Sequence, residues 1–392
     1  MIEALIQSAH AAGASDLHLE PGLPAAVRVD GRLQRSGSPI TAQQTRELAR
    51  RLIPDSEWPR FLERRSYDLS QRIAGVACRI NLLQSLRGVG LAVRLLSGGQ
   101  PSLGRLNLHP DLEGLVAVRH GLVLVVGTTG SGKSSTLAAL IQELDRPPAR
   151  HVLTLEEPVE YRFRTQHAFV RQREVGRHTP SFEQGLLDAM REDPDVILVG
   201  EMRRARTMQL TLDAAETGHL VLASMHAGSV SEALQRLISS FPPESQAGVR
   251  VQLASSLVGV VAQRLVRRPN LDFRVPECQI LRTTTAIRAI IREGQLHKIE
   301  QLMEIGAQDG QWSWERYRRW LGGRGSFVRP RIQPPPPAFE EPPPLAPTQR
   351  APDMGSLSSS APRGAQSDGV VDLDGGAGGS LEDLIAQIER RK

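Results

Sequence analysis

The stretch GTTGSGKS at 127–134 constrains the fold of this chain more than any other feature of its sequence. It matches the pattern G-x-x-x-x-G-K-S, follows the apolar run GLVLVVG (121–127) and precedes a helical pattern at 133–144. A glycine-rich loop between a strand and a helix lets backbone N–H groups surround phosphate oxygens, and the helix N-terminus adds a favourable dipole. The sequence therefore predicts a phosphate-binding loop in an α/β domain.

Two side chains of this loop have predicted tasks. Lys133 is expected to reach the β- and γ-phosphates of ATP, and Ser134 is expected to hold Mg²⁺. The residues predicted to bind the nucleotide are Gly127, Thr128, Thr129, Gly130, Ser131, Gly132, Lys133, Ser134 and Ser135.

Three further apolar runs have the character of buried strands. They are HVLTLEE (151–157), DVILVGE (195–201) and HLVLASMH (219–226), and such near-continuous runs are typical of a parallel sheet covered on both faces. Helical patterns fill the intervals and extend beyond them, at 133–144, 181–191, 204–217, 230–239, 244–266 and 284–293.

Glutamates follow two of these strands. Ligand sites in α/β sheets lie beyond the carboxyl ends of the strands, so Glu201 is predicted to act on Mg²⁺ through its water shell. The segment LEEPVE places three glutamates after another strand. Glu160 is the candidate for polarising the attacking water, and Glu156 and Glu157 are further candidates for the same role.

His219 and His226 flank the last predicted strand. They are seven residues apart, face opposite sides of the strand and do not form a compact metal-binding pair. Spacing alone leaves a structural role and a γ-phosphate-sensing role equally open.

The N-terminal part of the chain has a different pattern. A helical pattern at 2–12 precedes SDLHLE, whose side chains alternate, and AAVRVDGRLQR, in which Asp30-Gly31 favours a hairpin turn. Residues 41–64 are predicted to be helical, and GVACRINLLQS and VGLAVRLL are predicted to be strands. These elements indicate a small α+β domain at 1–98, followed by a Gly/Pro-rich linker at 99–109.

The composition changes after the α/β domain, which we place at 110–330. Runs of consecutive prolines and then a Gly/Ser/Asp-rich stretch predict a disordered linker at 331–379. Helical spacing of apolar residues returns at 380–392, which predicts a short amphipathic helix there.

Composition argues against several function classes. Lys and Arg total 48 against 43 for Asp and Glu, and aromatic residues are 4%, which does not indicate direct nucleic-acid binding. Two cysteines, Cys78 and Cys278, cannot form a four-thiolate metal site. No apolar run approaches the ~18–20 residues of a membrane helix, and the N-terminus lacks a signal-peptide pattern. We therefore expect a cytoplasmic protein without membrane insertion.

Five motifs together resemble the PilT family of secretion and pilus ATPases. They are SDLHLEPGLPAAVRVDGRL, the phosphate loop, TLEEPVE, REDPDVILVGEMR and AAETGHLVLASMHA, in family order from residue 1 to about 300. TTAIRAIIRE (284–293) further resembles a signature of the retraction branch. The four-cysteine zinc element usual in assembly motors cannot form with two cysteines.

The resemblance implies a fold and a function. It implies a PAS-like domain at 1–98, a RecA-like P-loop ATPase domain at 110–330 and a homohexameric ring. The implied activity is ATP hydrolysis that drives type IV pilus retraction and twitching motility. The implied partners are an inner-membrane pilus platform protein, which would hold the ring at that membrane, and a second pilus motor ATPase.

The resemblance also implies roles for residues of the α/β domain. Glu160 matches the family's catalytic glutamate, and Glu201 matches the Walker B glutamate. His219 and His226 match the family's histidine box, which favours a functional role for both.

Four arginines are implied to act near the nucleotide. Arg191 and Arg203 match arginines close to the nucleotide and the subunit interface. Arg79 and Arg94 match, more loosely, residues that reach the site from the N-terminal domain.

Three positions depart from the family pattern: Glu157 stands where Asp is usual, Met225 where Leu is usual, and Ala289 where Asn is usual. These departures leave room for an accessory retraction paralogue. A pilus-assembly or type II secretion ATPase of the same superfamily is a rival interpretation. A RecA-like nucleic-acid translocase is a further rival, which agrees less well with the composition.

Overall fold

The computed structural model describes residues 1–29, 31–95, 101–163 and 165–329, and the structural statements below concern these residues. Asp30 of the predicted hairpin, the linker predicted at 331–379 and the helix predicted at 380–392 lie outside the described residues.

The N-terminal part forms a six-stranded antiparallel sheet with the strand order β3-β2-β1-β6-β5-β4. Apolar side chains at alternating strand positions, such as Leu17, Leu19, Ile80 and Leu82, point into one core. Its elements are α1 (Ile2–Ala11), β1 (Ala14–Leu19), β2 (Pro24–Val29), β3 (Arg32–Pro39), α2 (Ala42–Leu52), α3 (Trp58–Arg64), β4 (Ser66–Ile73), β5 (Val76–Ser85) and β6 (Gly88–Leu95).

The segment 41–64, predicted as one helical region, contains two helices. The Thr41 side chain accepts a hydrogen bond from the Gln44 N–H, and the Gln44 side chain accepts one from the Thr41 N–H, so α2 begins with a capping box. The helix ends at Leu52 because Ile53 precedes Pro54, and a residue before proline favours an extended backbone. The helical segment predicted at 41–64 is therefore helical with an interruption at Ile53 and Pro54, and β4 was not predicted.

The second part forms a seven-stranded sheet with the strand order β13-β12-β7-β11-β10-β8-β9. Its strands are β7 (Gly121–Val126), β8 (His151–Glu156), β9 (Phe169–Glu174), β10 (Val196–Val199), β11 (Leu220–Met225), β12 (Leu257–Arg267) and β13 (Arg274–Arg282). Its helices are α4 (Lys133–Glu143), α5 (Phe182–Ala189), α6 (Ala205–Glu216), α7 (Val230–Ser239), α8 (Pro243–Ser256), α9 (Thr285–Glu293), α10 (Ile299–Ile305) and α11 (Trp314–Gly323).

Helices cover both faces of this sheet. Leu122 and Leu124 of β7 face a core formed with α5 to α10, whereas Val123 and Val125 face a core formed with α4 and α11. Every neighbouring strand pair is parallel except β12 and β13. The predicted parallel sheet with two buried faces is confirmed, and with it the mixed α/β fold.

The helical pattern predicted at 244–266 is only half helical. α8 ends at Ser256, and Leu257 begins β12, which pairs with β7 on one side and β13 on the other. The run after Leu257 is rich in β-branched residues, which favour strands. A Cβ on Gly259 would lie 2.5 Å from the Leu281 carbonyl oxygen, so the glycine permits this close pairing.

The aromatic residues at 312–320 pack against one another and against His109. The His109 ring lies 4.0 Å from Trp312 and 4.4 Å from Trp320, measured between ring centroids. The His109 backbone N–H donates to the hydroxyl of Tyr317, which is fully buried. The cluster thus packs α11 against the segment that leads into the seven-stranded sheet.

Candidate functional site

The predicted phosphate loop lies between β7 and α4. Gly130 and Gly132 have φ values of +74° and +92°, a backbone region that glycine adopts without strain. A Cβ on Gly127 would lie 2.4 Å from both the Gln263 carbonyl oxygen and the Ser131 hydroxyl, so only glycine fits there. The loop therefore needs glycine at three of its positions.

Lys133 turns back over the loop. Its ammonium donates to the carbonyl oxygens of Gly127 at 3.0 Å and Thr128 at 3.2 Å. Burial lowers the pKa of this ammonium, while the carboxylates of Glu201 and Glu160 act in the opposite direction. Lys133 and the two predicted catalytic glutamates therefore share one electrostatic environment.

The start of α4 can receive an anion. The backbone N–H groups of residues 133–135 find no acceptor within the described part of the chain. A helix N-terminus with free N–H groups and a nearby ammonium favours bound phosphate. These features fit the phosphates of a nucleotide.

Gln263 of β12 forms hydrogen bonds with both the phosphate loop and α4. This role was not predicted. The side-chain N–H of Gln263 donates to the Ser131 carbonyl oxygen at 2.7 Å, and its side-chain amide oxygen accepts from the Thr136 hydroxyl at 2.6 Å. Gln263 is only 5% exposed. A lone amide in the apolar run of β12 was the visible signal, but the segment was expected to be helical.

The two predicted histidines lie at opposite ends of β11. His226 follows the strand, and its Nε2 lies 3.5 Å from the Thr129 hydroxyl of the phosphate loop. His219 precedes the strand, where its carbonyl oxygen accepts from the Gly121 N–H and its Nδ1 lies 3.0 Å from the Ala214 carbonyl oxygen. Within one chain, the structure brings His226 to the loop and leaves His219 at the far edge.

α7 fixes the loop that carries His226. Arg236 donates to the His226 carbonyl oxygen at 2.9 Å, and the Glu232 carboxylate accepts from the Gly228 N–H at 2.6 Å. The backbone on both sides of the histidine is therefore held by side chains of one helix.

Glu201 follows β10, as predicted, and is paired with Arg203. Arg203 also lies 4.0 Å from the Glu157 carboxylate, so one arginine neutralises carboxylates after two neighbouring strands. Its side chain is 69% exposed. Arg203 is therefore close to the predicted Mg²⁺ ligand and accessible from outside.

Glu156 has its carboxylate engaged within the protein. One oxygen accepts from the Thr154 hydroxyl at 2.8 Å and from the Gln172 side chain at 3.1 Å. Burial raises the pKa of Glu156 to about 7, and the charge of Glu160 acts in the same direction. These contacts favour an anchoring role for Glu156 over a catalytic one.

Tyr161, the residue after Glu160, connects the acidic segment with the phosphate loop. Its hydroxyl lies 2.6 Å from the Ser135 hydroxyl near the start of α4. This contact was not predicted, although Tyr161 directly follows Glu160 in the sequence.

The remaining predicted arginines lie elsewhere. Arg191 pairs with Asp188 at 2.8 Å and is 71% exposed. Arg94 pairs with Asp16 at 3.0 Å and stands opposite Arg79 in the β5–β6 register. Among the described residues, the structure records no hydrogen bond or ion pair between these three arginines and the phosphate loop.

The oxygen donors at the site fit Mg²⁺. The hydroxyl of Ser134, which is exposed, and the carboxylate of Glu201 are hard oxygen ligands of the kind Mg²⁺ prefers. No cluster of three or more His, Cys, Asp or Glu side chains suited to a metal occurs in the described ranges. Mg²⁺ at nucleotide sites usually takes one or two protein oxygens plus phosphates and water, so a larger cluster is not needed.

Among the described residues, every helix is too short or too polar to span a membrane.

Comparison with known proteins shows the family of this chain. The family model for type II/IV secretion system proteins matches residues 1–304. The chain is 39% identical over 312 residues to the uncharacterised protein YggR of Escherichia coli, covering 79% of this chain and 95% of that protein. It is 38% identical over 319 residues to the type IV pilus retraction ATPase PilT of Pseudomonas aeruginosa, covering 81% and 92%.

A solved structure shows the same architecture. The crystal structure of the pilus retraction motor PilT with bound ADP matches with a TM-score of 0.71 and 35% identity, covering 81% of this chain and 96% of that chain.

Proposed function

This chain belongs to the type II/IV secretion system protein family, and from that membership we propose that it is an ATP-hydrolysing motor for type IV pilus retraction and twitching motility. The observation that carries the proposal is the phosphate loop, in which the Lys133 ammonium donates to the Gly127 and Thr128 carbonyl oxygens, and the charges of Glu201 and Glu160 raise the pKa of that ammonium against the effect of burial. Phosphoryl transfer needs this combination of phosphate binding, metal ligation and water activation.

Each side chain has a task in this proposal. Lys133 and the free N–H groups at the start of α4 bind the β- and γ-phosphates of ATP. Ser134 holds Mg²⁺ directly and Glu201 holds it through water. When bound, Mg²⁺ neutralises charge on the phosphate oxygens. Glu160 orients and polarises the attacking water.

His226 is proposed to detect the γ-phosphate. Its position 3.5 Å from the Thr129 hydroxyl supports this, because Thr129 belongs to the loop that is proposed to bind the phosphates. His219, at the opposite edge, is proposed to act towards a neighbouring subunit.

The ring is proposed to complete the site. Arg191 and Arg203 have exposed side chains, 71% and 69% respectively, which a neighbouring subunit can reach. A homohexamer would bring such arginines to a neighbour's nucleotide, where a guanidinium stabilises the charge that develops on the phosphates. Arg79 and Arg94, on adjacent strands of the N-terminal sheet, are proposed to contribute in the same way.

The domain assignment extends this proposal. We propose that the six-stranded sheet belongs to a PAS-like domain at 1–98 and the seven-stranded sheet to a RecA-like domain at 110–330. Rotation between them, driven by ATP, would act on an inner-membrane platform protein from the cytoplasmic side. A second pilus motor ATPase is a further proposed partner.

The decisive experiment follows pilus dynamics in cells that carry Lys133→Ala as their only copy of the gene. Retraction should stop while pili are still assembled. Cells that lost their pili altogether would instead indicate an assembly or secretion motor. ATPase activity of the purified protein that rose on addition of single- or double-stranded DNA would indicate a nucleic-acid translocase.

A further inference from the structure

β9 is an edge strand whose side chains hold the segment that carries Glu160. Gln172 of β9 donates through its amide nitrogen to the Tyr161 carbonyl oxygen at 2.7 Å and to the Glu156 carboxylate at 3.1 Å. Its amide oxygen accepts from the Phe163 N–H at 3.1 Å. The amide nitrogen of Gln172 therefore donates two hydrogen bonds and its oxygen accepts one, all with partners in the segment 156–163.

A second side chain of β9 holds the same segment from its other end. The Glu174 carboxylate accepts from the Val159 N–H at 3.0 Å. Glu174 is two positions from Gln172 and therefore lies on the same face of the strand. Backbone polar groups on both sides of Glu160 are thus paired with fixed partners, as an ordered irregular segment requires.

The held segment is also attached to the phosphate-binding helix. The Tyr161 hydroxyl lies 2.6 Å from the Ser135 hydroxyl, and Tyr161 is the residue whose carbonyl oxygen Gln172 binds. A path of hydrogen bonds therefore runs from β9 through Tyr161 to α4. Displacement of Tyr161 would move its neighbour Glu160 relative to the phosphate loop.

We infer that Gln172 is a positioning residue for ATP hydrolysis, which fixes Glu160 at its working distance from the phosphate loop by binding Tyr161, Phe163 and Glu156. The inference rests on the proposed catalytic role of Glu160. Gln172 acts through the segment, since its side-chain hydrogen bonds go to Tyr161, Phe163 and Glu156. Because a small misplacement of a catalytic group costs far more in turnover than in binding, the effect should appear in kcat.

The chemistry of the contacts explains why an amide is required at this position. Gln172 donates to two oxygens and accepts from one N–H. An ionised glutamate has nearly the same size but only acceptors, so Gln172→Glu would face the Tyr161 carbonyl oxygen and the Glu156 carboxylate with repulsion. Gln172→Ala removes the contacts without adding repulsion.

The test compares these two variants with Arg171→Ala. Arg171 is the adjacent residue of β9 and faces the other way, where it pairs with Glu192 at 2.7 Å. Both Gln172 variants should lower kcat by at least about tenfold while the Kd of a fluorescent ATP analogue stays within about twofold of wild type. Hydrogen exchange at the Phe163 N–H should accelerate in both variants. Arg171→Ala should retain wild-type kcat and exchange.

Three results would overturn the inference: wild-type kcat in both Gln172 variants, unchanged exchange at Phe163, or a rise in Kd as large as the fall in kcat. Glu160→Gln separates this inference from the proposed function. If Glu160→Gln loses turnover and the Gln172 variants do not, only the inference is wrong. If Glu160→Gln retains wild-type turnover, the proposed role of Glu160 is wrong, and the inference falls with it.

Discussion

Arg203 donates two hydrogen bonds to a single carboxylate oxygen of Glu201, from Nε at 2.9 Å and from Nη2 at 2.6 Å. This is the carboxylate that we propose faces Mg²⁺. The arginine and a Mg²⁺-bound water would therefore compete for this carboxylate. Release of Arg203 when Mg²⁺ and ATP bind would free a guanidinium with a 69% exposed side chain for a neighbouring nucleotide.

Arg203→Ala should separate the pairing of Arg203 with Glu201 from its proposed action on a neighbouring nucleotide. Without the arginine, less Mg²⁺ should be needed for half-maximal binding of a fluorescent ATP analogue, because Glu201 has lost its competitor. Turnover should fall by roughly 10²-fold or more, as expected when an arginine that stabilises the transition state is lost. Titration with Mg²⁺ and steady-state ATPase assays measure the two effects. An unchanged Mg²⁺ requirement would contradict the competition.

The two best glutamate candidates should behave differently when each is changed to glutamine. Glu160→Gln should retain nucleotide binding and lose roughly 10²-fold in kcat, since it removes the general base. Glu156→Gln should lose much less, because the Glu156 oxygen accepts hydrogen bonds that an amide oxygen can also accept. Lys133→Ala serves as the inactive reference in the same ATPase assay. A larger loss in Glu156→Gln than in Glu160→Gln would reverse our assignment.

Glu156 should also make stability depend on pH. Burial raises its pKa from 4.5 to about 7, so between these values the folded state holds a proton that the unfolded state has released. The free energy of unfolding should therefore fall as pH rises from about 4.5 to about 7, by up to about 3 kcal/mol from this group. Urea unfolding at pH 5 and pH 8 measures the change.

Glu156→Gln should remove that part of the pH dependence. Glu157→Gln is the matched control, since the side chain of Glu157 is 50% exposed. Equal pH slopes for wild type and Glu156→Gln would contradict the prediction.

Local sequence patterns predicted the centre of the second sheet well. The runs at β7, β8, β10 and β11 are apolar enough to identify buried parallel strands, and the glycines and lysine of the phosphate loop have fixed spacing. Both signals depend on neighbours in sequence. For that reason the loop, its strand and its helix could be placed from the sequence.

The edges of the sheets could not be predicted in the same way. β9 has mostly polar side chains, so no apolar pattern marks it as a strand beside β8. β12 follows α8 without a break and pairs with β7 and β13, and these long-range partners are not visible in the local sequence. Gln172 and Gln263 act through such long-range contacts, and a single sequence gives their positions without their partners.

Activity should depend on assembly. If Arg191 or Arg203 completes a neighbour's site, ATPase activity per chain should rise with protein concentration over the range in which rings form. Light scattering and ATPase assays on the same samples test this relation. A fully active monomer would exclude a site shared between subunits.

The contact of Gln263 with the phosphate loop should contribute both to stability and to nucleotide affinity. Gln263→Leu replaces the amide with an apolar side chain of comparable volume and leaves the Ser131 carbonyl oxygen and the Thr136 hydroxyl without these partners in a buried place. Each lost partner costs about 1–3 kcal/mol, so the free energy of unfolding should fall and the Kd for ATP should rise. Thr136→Val removes the orphaned hydroxyl, so the double variant should be more stable than the sum of the single effects predicts. Urea unfolding of the wild type, the two single variants and the double variant measures this coupling. Strictly additive changes in the free energy of unfolding would show that the two side chains do not interact.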